Sequence, residues 1–210
     1  GWPVIPPGPT LKPGATDPIT AAPLAPRKAA EGKRFVRLDP ATTGLAFANE
    51  LRPENIVAYV YSGAGLAVGD YDGNGLPDVY LVSQDGPNKL FAQTSPMRFQ
   101  DVTAKAGGLD GGDAWGTAAT FADVDGDRDL DLYVCNYIDY DWQNEPVCRL
   151  PDGGRSYCHP NVFQGARDRL FRNLGQARFA DVGLEAGITD ANGKGMAAGA
   201  FDADGDGDLD

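Results

Sequence analysis

Three nine-residue stretches gather most of the chemistry this sequence could perform: DYDGNGLPD at 70–78, DVDGDRDLD at 123–131 and DADGDGDLD at 202–210. Each fits the pattern D-x-D-x-[DN]-x-x-x-D, which sets side-chain oxygens at positions 1, 3, 5 and 9. Two unit charges about 4 Å apart repel by about 1 kcal/mol even in bulk water. Carboxylates at alternate positions of a short loop therefore call for a local cation. Ca²⁺ suits them, because it takes about six to eight hard oxygen ligands and flexible loops of alternate carboxylates plus a backbone carbonyl supply those. The candidate side-chain ligands are Asp70, Asp72, Asn74 and Asp78; Asp123, Asp125, Asp127 and Asp131; and Asp202, Asp204, Asp206 and Asp210. Position 7, occupied by Leu76, Asp129 and Asp208, would offer its carbonyl.

Position 6 is Gly75 and Gly207 in the outer windows, as a tight turn prefers, but Arg128 in the middle one. A non-glycine residue at positive φ costs about 1 kcal/mol or more, so the middle loop is expected to be distorted or weaker. An EF-hand is rejected, because position 12 is Leu81 or Val134 where a bidentate Glu is required. An ordinary solvated Asp-Gly turn is the plain alternative for one window. It fails for three windows at matching places.

The charge balance is equally local. The chain has 30 acidic and 18 basic residues and a net charge of −12. The three windows hold 13 of the acids and one base, Arg128, which leaves 17 of each sign elsewhere. No Lys/Arg cluster of the kind that meets phosphate is visible, so nucleic acid is not an expected partner. No apolar run reaches the 18 residues or more of a membrane-spanning helix.

Elements must hold these loops in place, and the texture around them is β-type. Residues 1–34 carry 8 of the 16 prolines and no aromatic but Trp2, which reads as an extended Pro/Ala-rich linker. From Phe35 to Asp210, short apolar runs alternate with Gly, Asp and Asn, as in an all-β domain. Runs such as GLAVG and TAATFA precede the windows, while VYLV and LYV follow them. Each window is thus expected to be the turn between two strands. Leu90, Phe99, Asp101 and Gly107 recur 80 positions later as Leu170, Phe179, Asp181 and Gly187. The windows step by 53 and then 79 residues, and an insertion of about 26 residues at about 136–167 makes the steps equal. A strand-rich repeat of that size is one propeller blade. Calcium repeats of the RTX or thrombospondin type recur at much shorter spacing.

The stretches GLAVGDYDGNGLPDVYLV, NKLF, RFQDVTAKAG, FADVDGDRDLDLYVCNY and DRLFRNLGQARFADV resemble the FG-GAP and VCBS-type repeats of integrin-α-like β-propellers. Among these they look most like bacterial cartilage acidic protein-like (ASPIC/UnbV-type) proteins. The resemblance covers about residues 35–210. It implies a β-propeller, about three blades of a probable seven, with Ca²⁺ held in blade hairpins. Propellers close with four to eight blades, so these residues are expected to be the front part of a longer protein with exposed edges. A literal Phe-Gly…Gly-Ala-Pro signature is absent; Gly63–Leu66, Gly116–Ala119 and Gly195–Ala198 are its loose counterparts. The function implied is a calcium-stabilised, secreted, periplasmic or cell-surface module that binds a protein or a glycan without catalysis.

The insertion carries the remaining candidates. Tyr140, Trp142 and Tyr157 suit either a protein or sugar partner at a loop tip or plain packing. Cys148 and Cys158 flank a Pro-Asp-Gly-Gly turn and are expected to form a disulfide, which suits an oxidising compartment, with Cys135 a buried thiol. A Cys₃His zinc site from Cys135, Cys148, Cys158 and His159 is the rival. As an alternative function, the carboxylates could serve the propeller domain of a secreted carbohydrate-active enzyme. His159, the only histidine, sits in no recognisable nucleophile motif.

Overall fold

The computed structural model describes residues 37–49, 64–84, 86–112, 114–141, 144, 146–189, 192–206 and 209. The expected linker at 1–34, Trp142, Asp208 and Asp210 lie outside the described residues.

Alternating apolar residues and turn-forming Asp-Gly clusters produce two four-stranded antiparallel sheets. The first runs in the order β1 (Leu66–Gly69), β2 (Asp78–Leu81), β3 (Lys89–Ser95) and β4 (Arg98–Asp101). The second contains β5 (Gly116–Ala122), β6 (Asp131–Asn136), β9 (Arg169–Asn173) and β10 (Phe179–Asp181), each paired with the next. Both are simple meanders of the same connectivity. A short helix, α1 (Pro40–Thr43), packs near β4, and a second, α2 (Thr103–Ala106), leads from the first sheet toward the second. Leu38–Asp210 form one unit, and among the described residues no helix is long and apolar enough to cross a membrane.

The insertion falls between β6 and β9. Residues 137–168 stand where 82–88 make the corresponding connection in the first sheet. They open by prolonging the hairpin, with Ile138 bridged to Gly165 and the Asp139 N–H donating to the Gln164 carbonyl at 3.0 Å. At the far end, β7 (Cys148–Arg149) and β8 (Arg155–Ser156) form a two-stranded hairpin. Cys148 and Cys158 are joined as a disulfide with their Cα atoms 5.2 Å apart. This settles against the zinc alternative, since two of its sulfurs are bonded to each other; Cys135 is a buried thiol within β6. Tyr140 is not a tip residue. It is 8% exposed and packs with Trp115, Ile138 and Phe163, its ring 5.7 Å from that of Trp115. Tyr157 is exposed.

One continuous core joins the sheets: Tyr80, Leu90 and Leu109 from the first repeat meet Leu132, Val134, Phe171 and Phe179 from the second. The sheets approach closely through β1 and β5. A Cβ on Gly65 would lie 2.6 Å from both the Ala118 Cα and the Thr117 carbonyl, so only glycine fits there. The same device recurs at Gly195, where a Cβ would lie 2.8 Å from Asp168 Oδ1 and 3.0 Å from Cys135 Cβ. Its N–H donates to the Asn136 carbonyl at 3.1 Å, and its carbonyl accepts from the Thr117 hydroxyl at 2.7 Å. Residues from Gly195 thus lie against the second sheet much as Gly116 lies against Val82 and Asn88 of the first.

The third hairpin differs from expectation, because no strand is assigned over the described residues from 192 to 206.

Candidate metal centre

The first two windows are the β1–β2 and β5–β6 turns, as the flanking apolar runs require. Their hydrogen bonds match at positions 3 and 5, and at position 1 both take the N–H of position 6 but differ in the second donor, position 5 in the first loop and position 4 in the second. At position 1, Asp70 accepts from the N–H groups of Asn74 (3.0 Å) and Gly75 (2.8 Å), and Asp123 from those of Gly126 (2.8 Å) and Arg128 (2.9 Å). At position 3, Asp72 accepts from Asn74 N–H at 3.1 Å and Asp125 from Asp127 N–H at 3.4 Å. At position 5, Asn74 and Asp127 each accept from the N–H two residues on at 2.8 Å. The third window repeats what it shows of this: Asp202 accepts from Gly205 N–H at 2.6 Å and Asp204 from Asp206 N–H at 3.2 Å.

Position 9 stands apart because it is buried. Asp78 and Asp131 begin β2 and β6 and are 0% and 1% exposed. Each is held by two backbone N–H groups, one from position 2 of its own loop and one from the third strand of its sheet. For Asp78 these are Tyr71 at 3.0 Å and Gln93 at 2.7 Å; for Asp131 they are Val124 at 3.1 Å and Asn173 at 2.8 Å. Burial is the main force pushing the Asp78 carboxyl up, to about 6; the hydrogen bonds from Gln93 and Tyr71 oppose it, and the charges of Asp72 and Asp70 add to it. Asp131 is raised for the same reasons, with Asp125 and Asp127 as the neighbouring charges.

Three clusters result: Asp70, Asp72 and Asp78; Asp123, Asp125 and Asp131; Asp202, Asp204 and Asp206, each with carboxylate oxygens within 4.8 Å of one another. Oxygens on opposite sides of one Ca²⁺ lie at most about 5 Å apart, twice the bond length of about 2.3–2.6 Å. The clustered carboxylates therefore fit a hard divalent cation in type and spacing. The clusters contain no sulfur or imidazole that would favour zinc. Asp127 lies outside the tightest cluster of its loop.

Arg128 does not distort its loop. It adopts φ 76°, close to Gly75 at φ 84°, and donates its N–H to Asp123 as Gly75 does to Asp70. The side-chain-to-backbone bonds of the loop outweigh the strain of one residue.

The residues that sequence reasoning passed over are Gln93 and Asn173, which support position 9 from the third strand. They are 80 positions apart, the same offset as Leu90 and Leu170, so the repeat was the signal that could have found them.

Residues 52–134, which end within β6, match the family model described as an FG-GAP-like repeat. No curated protein matches the chain.

Proposed function

We propose that this chain is the calcium-loaded part of an integrin-α-like β-propeller, a module that binds a protein or glycan outside the cytoplasm and performs no catalysis. The observation that carries the reading is the recurrence of clustered carboxylates in the acidic loops, each with oxygens within 4.8 Å of one another, with a buried carboxylate at the ninth position of the first two. The two four-stranded meanders are read as successive blades, and the FG-GAP-like match over 52–134 supports this. The narrower kinship with ASPIC/UnbV-type proteins belongs to the same reading and rests on the motifs quoted above. The loop residues would hold the ion, which supplies neutralising charge and no reaction step. The disulfide supports an oxidising compartment, hence a secreted, periplasmic or surface location. Against hydrolytic use of the lone histidine, His159 Nδ1 accepts the Asn161 N–H at 3.2 Å as the cap of a 3₁₀ turn, Pro160–Val162.

Thermal melting with excess Ca²⁺ and then with chelator tests this. An ion present at about 100 times its dissociation constant stabilises by about 2.7 kcal/mol, or a rise in Tm of about 5–10 °C at this size. Identical melts in both conditions would reject the calcium role. Turnover of a glycan substrate that survives chelation would reject the non-catalytic reading.

A further inference from the structure

We propose that Asn173 couples the first two acidic loops, so that an ion bound in one strengthens binding in the other. The inference rests on the calcium reading and extends it from separate sites to linked ones.

A buried path of hydrogen bonds joins the two ninth-position carboxylates. Asp78 accepts from the Tyr71 N–H at 3.0 Å. The carbonyl of the same residue, Tyr71, accepts from Asn173 Nδ2 at 2.9 Å, across 102 residues of sequence. The Asn173 N–H donates to Asp131 at 2.8 Å, and its Nδ2 also reaches the Leu130 carbonyl at 3.2 Å. Asp78, Tyr71, Asp131 and Asn173 are all buried, so water cannot replace a link that slips. An unsatisfied buried donor or acceptor costs about 1–3 kcal/mol. Packing follows the same route: the space beside Gly69, which precedes Asp70, is filled by Leu130 and Phe121.

The consequence is a shared ordering step. An ion drawn to the first loop fixes Asp70 and Asp72, and with them the Tyr71 carbonyl between. That carbonyl orients the Asn173 amide, whose main chain positions Asp131 for the second loop. Ordering paid for once favours both ions, and linkage makes the effect reciprocal. At the same position of the first sheet, Gln93 makes the equivalent N–H bond to Asp78, and its side-chain oxygen accepts from Met97 N–H at 3.2 Å as the Asn173 oxygen accepts from Gly175 N–H at 2.9 Å, so it is the Asn173 Nδ2 that carries the bridge.

Calorimetric Ca²⁺ titration of the whole chain tests the coupling, in an Asp204→Asn background that silences the third loop and at 0.15 M salt. The product of the two association constants, divided by the product of the single-loop constants from Asp125→Asn and Asp72→Asn, is the coupling factor. A factor of about five or more is expected, the lower end of ordinary coupling between sites. In Asn173→Ala it should fall to near one, while each loop still takes up its ion. A factor near one with Asn173 present, or one unchanged in Asn173→Ala, overturns the proposal and leaves the calcium reading standing. No uptake by either loop overturns both. Should Asn173→Ala lose its far-UV circular dichroism signal, the factor in the Asn173 background decides alone.

Discussion

At the scale of single residues, the loops combine carboxylates that repel one another with backbone conformations that only some residues accept. Arg128 at φ 76° is the clearest case. Arg128→Gly relieves about 1–2 kcal/mol of left-handed strain and returns about 0.5–1 kcal/mol through the freer unfolded chain. The net expectation is a stabilisation of up to about 1.5 kcal/mol, read as a higher urea midpoint at unchanged slope; a lower midpoint would show that the arginine side chain has a stabilising role. Asp78 governs a pH effect. Its carboxyl is raised from 3.8 to about 6 on folding, so the folded, calcium-free chain binds a proton that the unfolded chain holds only at lower pH. The stability this group contributes is full below pH 3.8 and is lost as pH rises through about 6. Melts in chelator between pH 4 and 7 should show that loss, and Asp78→Asn should reduce it, leaving the share of Asp131, whose carboxyl is also raised by burial. Calcium affinity should run the opposite way, falling as pH drops below about 6, because the ion needs the deprotonated carboxylate.

At the scale of elements, the hairpin is the unit that places the ligands. Positions 1 to 7 form the turn, and position 9 is the first residue of the next strand, which explains why one ligand is buried while the others stay near solvent. Much of this was legible in sequence: the apolar runs on either side of the first two windows announced strands, and the 80-residue offset announced the second sheet. The disulfide was legible because Cys148 and Cys158 bracket a turn. The role of Tyr140 was not, since an aromatic in a long insertion reads alike whether it meets a partner or Trp115. Nor was Asn173, whose amide acts on Tyr71 through space that only the packed sheets create. The sheets pack at glycines, and Gly65→Ala should destabilise by about 1–3 kcal/mol, because the atoms it would strike belong to the backbone of β5 and cannot rotate away. Denaturant melts would measure this. A neutral result would mean that the first strands separate more readily than their packing implies.

At the scale of the whole molecule, the acidic excess, the repeat and the shared core belong together. Two meanders rest on each other through one core, the segment from Gly195 lies against the second sheet, and Leu66, Val68, Met196 and Phe201 are exposed apolar side chains. Such an arrangement concentrates charge at the loops. The ion pairs of Lys89 with Asp101 and of Arg167 with Asp181 lie outside the acidic windows. The most direct measurement of the central claim is therefore the number of Ca²⁺ ions taken up by the chain at neutral pH, by calorimetry or equilibrium dialysis. At least two ions per chain are expected, with Asp72→Asn and Asp125→Asn each removing one. Uptake of none, or uptake unchanged by both substitutions, would contradict it.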